Sequence, residues 1–226
     1  MHFLAHRGLW KVKAEQNTLA GYRAAFERGH GVELDVRDLG GRLVISHDPP
    51  VEAGLTFEAV LELCADYPSR PVIAINIKAD GLTAAVGEAL ARHPAVAEAA
   101  FCFDMSVPDA LHYLRAGLPA FTRHSEYETV PSFYQEAAGI WLDALVAPWV
   151  DPDQIIAYLR RGKRVAIVSP ELHRKPHRQA WGLWRAALAA AALPPALTAE
   201  RLMLCTDFPD EAQTFFAEAD AGARPS

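Results

Sequence analysis

The chain predicts an α/β fold, a (β/α)8 TIM barrel, and three observations carry that prediction. Short apolar runs alternate with amphipathic stretches along the whole length, and eight strand-then-helix repeats can be counted. Eight repeats fit a closed parallel barrel, whereas an open doubly wound sheet would carry a Gly-rich phosphate fingerprint after its first strand, and none follows Phe3–His6. Finally, strand interiors such as Val72-Ile73-Ala74-Ile75 and Val165-Ala166-Ile167-Val168 are apolar, while polar residues gather at the strand ends. With 226 residues, 51% of them hydrophobic, one domain spanning residues 1–226 has enough apolar surface for a full core.

Taken in order, Phe3–His6 is a short strand running into Arg7-Gly8. Asn17 or Thr18 can cap the amphipathic segment Leu19–Arg28, which closes at Gly29. Val32–Val36 is the second strand; Gly40-Gly41 then turns the chain into the extended segment Arg42–Ser46, which delivers His47-Asp48 before Pro49-Pro50 stops it. The remaining predicted strands are Val72–Lys78, Ala100–Asp104, Ala120–Arg123, Ile140–Asp143, Arg164–Ser169 and Leu202–Thr206. Predicted helices are Thr56–Ala65, Leu82–Arg92, Val107–Ala116, Pro131–Ala138, Pro152–Arg161, His177–Ala192 and Pro209–Ala219, with Gly222–Ser226 expected as a frayed tail.

Net charge is −6 with acids and bases mixed, which argues against a nucleic-acid surface, since that would show a basic stripe. The one basic cluster, Arg160 to Arg164, sits where a helix ends, and cations there complement the helix dipole. Cys64, Cys102 and Cys205 are odd in number and apolar in context, as expected of reduced core residues in a cytoplasmic protein. The N-terminus lacks the pattern of a signal peptide, and no apolar run reaches the roughly 18 residues of a membrane span.

In a barrel of this kind the chemistry sits at the C-terminal strand ends. Glu33-Leu34-Asp35 is the stretch around which those ends are organised. Strand side chains alternate faces, so Glu33 and Asp35 point together and Leu34 points away. Two inward carboxylates require a cation, a shared proton or a basic neighbour. His6-Arg7-Gly8 and His47-Asp48 flank the pair in sequence, and the reading is an acidic metal site between two histidines. His2, His30, His93, His112 and His177 lack such context and are expected at the surface or at caps; His173, beside Glu171, is intermediate. Of the tryptophans, Trp141 is the one expected to line the mouth, because it shares a strand face with Asp143.

His6-Arg7-Gly8, Asn17-Thr18, Glu33-Leu34-Asp35-Val36 and His47-Asp48, with the late Thr206-Asp207-Phe208-Pro209, resemble in order and spacing the glycerophosphodiester phosphodiesterase family of the phosphatidylinositol-phospholipase-C-like barrels. The resemblance spans nearly the whole chain. It implies hydrolysis of a small soluble glycerol- or sugar-bearing phosphodiester, with His6 and His47 as general base and general acid. It also implies that Glu33 and Asp35 bind Mg²⁺ or Ca²⁺, a hard cation suited to carboxylate oxygens. Arg7 and Lys78 would hold the phosphate, and Arg123 would extend that site, Arg by its fork and Lys as a point charge.

The departures from the family pattern are specific. Its third metal carboxylate stands in a Glu-x-Lys, where this chain has Asn76-Ile77-Lys78, so the third oxygen comes from an amide and the cation should bind more weakly. Gln16 replaces an acid, and the insertion usual after His-Asp shrinks to the stretch around Pro49–Leu55. A Trp-Thr usual on the seventh strand is replaced by Val168-Ser169-Pro170-Glu171-Leu172-His173, where Glu171 either restores the lost carboxylate, contacts a substrate hydroxyl or caps its loop. Two further readings stay open. One is a metal-independent phosphodiester lyase with Lys78 or Arg123 as the cation; the other is a non-catalytic binder of a phosphate ligand.

Overall fold

A computed structural model describes residues 1–52, 54–147 and 149–221. Ala53, within the shortened Pro49–Leu55 stretch, and the expected frayed tail Gly222–Ser226 lie outside the described residues. The chain runs β1 (His2–His6), α1 (Leu19–Glu27), β2 (Gly31–Leu39), β3 (Arg42–Ile45), α2 (Phe57–Ala65), β4 (Ile73–Ile77), α3 (Thr83–Arg92), α4 (Pro94–Ala97), β5 (Ala100–Phe103) and α5 (Val107–Arg115). It continues through β6 (Phe121–His124), β7 (Gly139–Leu142), α6 (Pro152–Arg160), β8 (Arg164–Val168), α7 (Arg178–Ala190), α8 (Pro195–Arg201), β9 (Leu202–Thr206) and α9 (Pro209–Ala221).

Eight parallel strands lie in the order β5-β4-β2-β1-β9-β8-β7-β6, with β3 paired antiparallel to the outer end of β2. This is the predicted barrel, nearly closed: a single bridge, Cys102 to Ala120, joins β5 to β6. β2 is longer than predicted because the Gly40-Gly41 hairpin carries it on to Leu39. The hairpin's return brings Ser46 back to the mouth, where its N–H donates to the Asp35 carbonyl at 3.0 Å.

Side-chain alternation sorts each strand. Val32, Leu34 and Val36 pack outward against α1 and α2, together with Tyr22, Phe26, Phe57 and Leu61. Ile140, Leu142, Ile167 and Leu204 do the same on the opposite half, against Trp181, Trp184 and Leu159. Inward residues fill the barrel: Leu4, Phe101, Phe103, Phe121, Trp141 and Met203 among them. Phe101 stacks on Phe121 at 3.7 Å and Phe103 on Trp141 at 3.8 Å, so flat aromatic pairs fill the side where the sheet is least closed. Fully buried, the Cys102 thiol has its pKa pushed up to about 12, in keeping with an inert core cysteine.

Two expectations need correction. The predicted helix Pro131–Ala138 does not form; Phe133 takes a left-handed backbone at φ 53°, which ends helical propagation after one turn. His30 is buried rather than superficial, and its Nε2 lies 2.8 Å from Asp210 Oδ1, tying the start of β2 to α9. No helix among the described residues is long and apolar enough to cross a membrane.

Candidate active site at the barrel mouth

His6 ends β1 beside Glu33 of β2, and Asp35 lies in register with Asn76 of β4. The pleat therefore aims Glu33, Asp35 and Asn76 inward, and all three are buried. Glu33 and Asn76 line a cleft of about 300 Å³, together with His6, Arg7, Lys78, Asp104, Arg123, Trp141, Asp143 and His173, while Asp35 is fully buried behind Arg7 and Lys78.

The loop after β1 is held by the residues of the Asn-Thr motif. Arg7 adopts a left-handed backbone at φ 58°, followed by Gly8 at φ 87°, where an added Cβ would meet the Gly21 carbonyl carbon at 2.9 Å. Asn17 donates its backbone N–H to the Arg7 carbonyl at 2.9 Å and its side-chain amide to Asp35 Oδ2, also at 2.9 Å. The Tyr22 hydroxyl donates to Asn17 Oδ1 at 2.7 Å, and burial keeps that phenol neutral. Thr18 caps α1 by accepting from the Gly21 N–H at 3.1 Å. A capping signal in the sequence thus also positions a site carboxylate.

The His6 ring has a carboxylate on each side. Its Nδ1 lies 2.7 Å from Asp207 Oδ1, just past β9, and its Nε2 lies 4.0 Å from Glu33 Oε2. Burial works to lower the His6 pKa, but the Asp207 hydrogen bond and the charges of Glu33 and Asp207 outweigh it and raise the value. Burial, followed by the charge of Asp35, raises the pKa of Glu33. Glu33 also accepts from Asn76 Nδ2 at 3.1 Å and from the Arg7 N–H at 3.3 Å.

Asp35 draws two cations: Arg7 Nε at 3.0 Å, off the hydrogen-bond direction, and Lys78 Nζ at 3.4 Å. Lys78 is shared with Asp104 at 3.4 Å, and Asp104 also pairs with Arg123. Each cation of the mouth therefore has a carboxylate partner with which an incoming phosphate must compete.

A hard divalent cation fits the oxygens present. Asn76 Oδ1 is a buried acceptor with no hydrogen-bond donor, and Asp35 Oδ1 has none either, only the Lys78 ammonium at 3.4 Å; beside the Glu33 carboxylate, a divalent cation would satisfy both oxygens. The set amounts to two carboxylates and one amide; among the described residues no three His, Cys, Asp or Glu side chains cluster as metal ligands.

Two residues singled out in the sequence stand apart from the cleft. His47, at the hairpin's return, is 46% exposed, pairs its Nδ1 with Asp48 at 2.9 Å and does not line the cleft. Glu171 turns to the barrel rim, where it accepts from the hydroxyls of Ser169 and Thr206 and from the Asp207 N–H at 3.2 Å. Arg7, Lys78, Arg123 and Trp141 do line the cleft. Sequence reasoning left His173 without a role, and its partner could not be read locally: His173 Nε2 lies 2.6 Å from Asp143 Oδ1, thirty positions away. Both residues follow strand ends, which was the available signal.

No family model matches the chain, and no curated protein matches it in sequence. Solved structures do match in fold. A candidate glycerophosphodiester phosphodiesterase from Galdieria sulphuraria superposes with a TM-score of 0.71 at 13% identity, covering 96% of this chain and 97% of that one. The glycerophosphodiester phosphodiesterase of Agrobacterium tumefaciens gives 0.62 at 18% identity, covering 96% and 99%. A Ca²⁺-dependent phosphatidylinositol-specific phospholipase C from Streptomyces antibioticus gives 0.57 at 13% identity, covering 95% and 96%. The likeness is one of fold and extends over essentially the full length of each.

Proposed function

We propose that the chain is a phosphoric diester hydrolase of the glycerophosphodiester phosphodiesterase type, acting on a small soluble diester with a glycerol or sugar substituent. The observation that carries this reading is the Asp207–His6 dyad, 4.0 Å from Glu33 in a cleft that also holds Arg7, Lys78 and Arg123. That combination supplies charge to hold a phosphate and a group to move a proton, on the barrel shared with the phosphodiesterases named above.

Arg7 and Lys78 bind the phosphate oxygens, exchanging their carboxylate contacts for the ligand, and Arg123 extends the grip on the far side. Glu33, Asp35 Oδ1 and Asn76 Oδ1 would hold Mg²⁺ or Ca²⁺, which when bound neutralises phosphate charge as a Lewis acid. His6 takes the proton of the attacking hydroxyl, and Asp207 fixes the ring's tautomer and steadies the imidazolium. The hydroxyl belongs either to water or to the substrate itself, and the latter gives a cyclic diester. The second proton carrier is either His47, which the resemblance names, or a histidine already in the cleft.

Calorimetric titration with Mg²⁺ and Ca²⁺, on wild type and on Glu33→Gln, tests the site, paired with turnover of a glycerol phosphodiester. Binding by wild type that is lost in Glu33→Gln, together with turnover lost in His6→Ala, is the expected result. A second reading, a metal-independent lyase, draws on Lys78 Nζ standing 3.4 Å from Asp35, where it can stand in for a cation. Turnover indifferent to chelator with no divalent binding would favour it. Phosphate binding without any turnover would leave a non-catalytic binder.

A further inference from the structure

A line of alternating charges crosses the mouth. Lys78 Nζ lies 3.4 Å from Asp35 Oδ1 and 3.4 Å from Asp104 Oδ2, Asp104 Oδ1 pairs with Arg123, and Arg123 Nε lies 3.4 Å from Glu128 Oε2. Asp104 stands at the centre of this line, with one carboxylate oxygen on each of two cations that hold phosphate in the reading above. Two oxygens shared between a lysine and an arginine are the contact that a phosphate group would itself make there. The fixed charges lining the cleft are thereby balanced, Glu33, Asp104 and Asp143 against Arg7, Lys78 and Arg123. Without Asp104 the balance tips positive.

Lys78, Asp104 and Arg123 come from the ends of three successive strands. Asn76 of β4 is in register with Phe103 of β5, so Lys78 and Asp104 leave neighbouring strands at nearly the same level, and β6 brings Arg123 to the other side of the seam. Asp104 takes a left-handed backbone at φ 73°, a conformation costly to every residue except glycine and borne best by Asn and Asp. Its carboxylate does not cap the helix that follows. Ser106 is the N-cap of α5, accepting from the Asp109 N–H at 3.3 Å, and Asp80 holds Ser106 in turn by accepting its N–H at 3.2 Å. With the local structure served by other residues, the Asp104 side chain is committed to Lys78 and Arg123. A sparsely populated backbone that carries a side chain onto ligand-holding groups points to function.

We infer that Asp104 determines specificity by charge: standing between Lys78 and Arg123 in the place of a phosphate, it yields to the monoanion of a phosphodiester and weakens binding of the dianion of a phosphomonoester. This deepens the phosphodiesterase reading above and rests on it. A diester carries one negative charge, whereas a monoester, with a second pKa of about 6, carries nearly two above neutrality. Hydrolysis therefore turns a monoanion into a dianion, which Arg7, Lys78 and Arg123 alone would hold more tightly than the substrate. A carboxylate fixed beside the same cations opposes the product more than the substrate, because repulsion grows with the charge of the ligand. Asp104 thus favours release of the monoester.

The test compares a glycerol phosphodiester as substrate with glycerol 3-phosphate as competitive inhibitor at pH 8.5, in wild type and in Asp104→Asn. Asparagine tolerates the left-handed backbone, so the variant keeps the local fold. If removing the charge tightens the monoanion about threefold, the dianion should gain about the square of that, so KM should fall about threefold and Ki about tenfold. Calorimetry with inorganic phosphate, also a dianion at that pH, should show the same gain of about tenfold and does not depend on turnover. Tighter binding cannot arise from a partly unfolded preparation.

A Ki that does not fall in Asp104→Asn, or that falls only in step with KM, overturns the proposal. So does an equal gain in Glu128→Gln, which removes the same charge from the outer end of the line, since net charge and not the place of Asp104 would then set the selectivity. If wild type cleaves no glycerol phosphodiester, the phosphodiesterase reading itself falls and takes this assignment with it. A failure of the assignment alone leaves wild type active and phosphate binding equal in wild type and Asp104→Asn.

Discussion

At the scale of single residues, the mouth is a balance of buried charge. Glu33 and Asp35 share one inward face, and three bases approach them: His6, Arg7 and Lys78. The raised pKa of His6 has a consequence for stability. A histidine whose folded pKa lies above its ordinary 6.5 adds stability that is complete below that value and is lost as pH rises through the folded pKa. Asp207→Asn removes the hydrogen bond that outweighs burial, so it should destabilise the protein more at pH 5.5 than at pH 8.5. The difference should be about 1.5–3 kcal/mol, the range of a hydrogen bond to a charged group. Urea unfolding at the two pH values measures it, and an equal cost at both would show that the bond does not favour the protonated ring. At this scale the sequence was informative about residue type and face. It was silent on partners such as Asp207 for His6, which lies 201 positions away.

At the scale of elements, β2 and its neighbours decide where the carboxylates stand. Gly31 opens that strand with no room for a side chain: an added Cβ would lie 2.5 Å from the Val72 carbonyl oxygen and 2.7 Å from Leu4. The first of these is backbone and cannot move aside without shifting β2 against β4, and Glu33 and Asp35 would shift with it. Gly31→Ala should cost about 1–3 kcal/mol, as overpacking does, and weaken divalent binding as well. Thermal melts together with the calorimetric titration check this; a variant as stable as wild type would mean that the strands can part at no cost. Strands and most helices were legible from period and caps. Pro131–Ala138 was not, because its composition suits a helix and no local pattern marks Phe133, a residue that seldom takes a left-handed backbone, as the point where the turn departs from one.

At the scale of the whole molecule, the barrel is uneven around its circumference. Pairing is continuous from β5 through β4, β2, β1, β9, β8 and β7 to β6, yet β6 meets β5 through the single Cys102–Ala120 bridge. At the seam the outer layer is α5, whose Tyr113 packs in one cluster with Cys102 and Ala120, and the inner layer is held by the stacked Phe101 and Phe121. Local opening follows where backbone pairing is thinnest. In native hydrogen exchange, peptides covering 100–105 and 119–124 should therefore exchange on the order of tenfold faster than those covering 31–36 and 202–206, a difference of about 1.4 kcal/mol in opening free energy. Uniform protection around the barrel would contradict this.

By itself the sequence determined the alternation of strands and helices, the inward face of Glu33 and Asp35, and the strand ends at which polar residues gather. These follow from local rules: the two-residue period of a strand, the capping of helices and the apolar demand of a core. Only the tertiary structure decided which polar residues meet. Asp143 finds His173, Asp207 finds His6, and Glu171 is taken up by Ser169 and Thr206, because bending the sheet into a barrel brings strand ends together in an order that no local pattern encodes. For the same reason His47, named by its motif, stands outside the cleft while His173, without a motif, lies within it. A motif records residue types along the chain, whereas proximity at the mouth is set by the curvature of the sheet and by the turns that cross it.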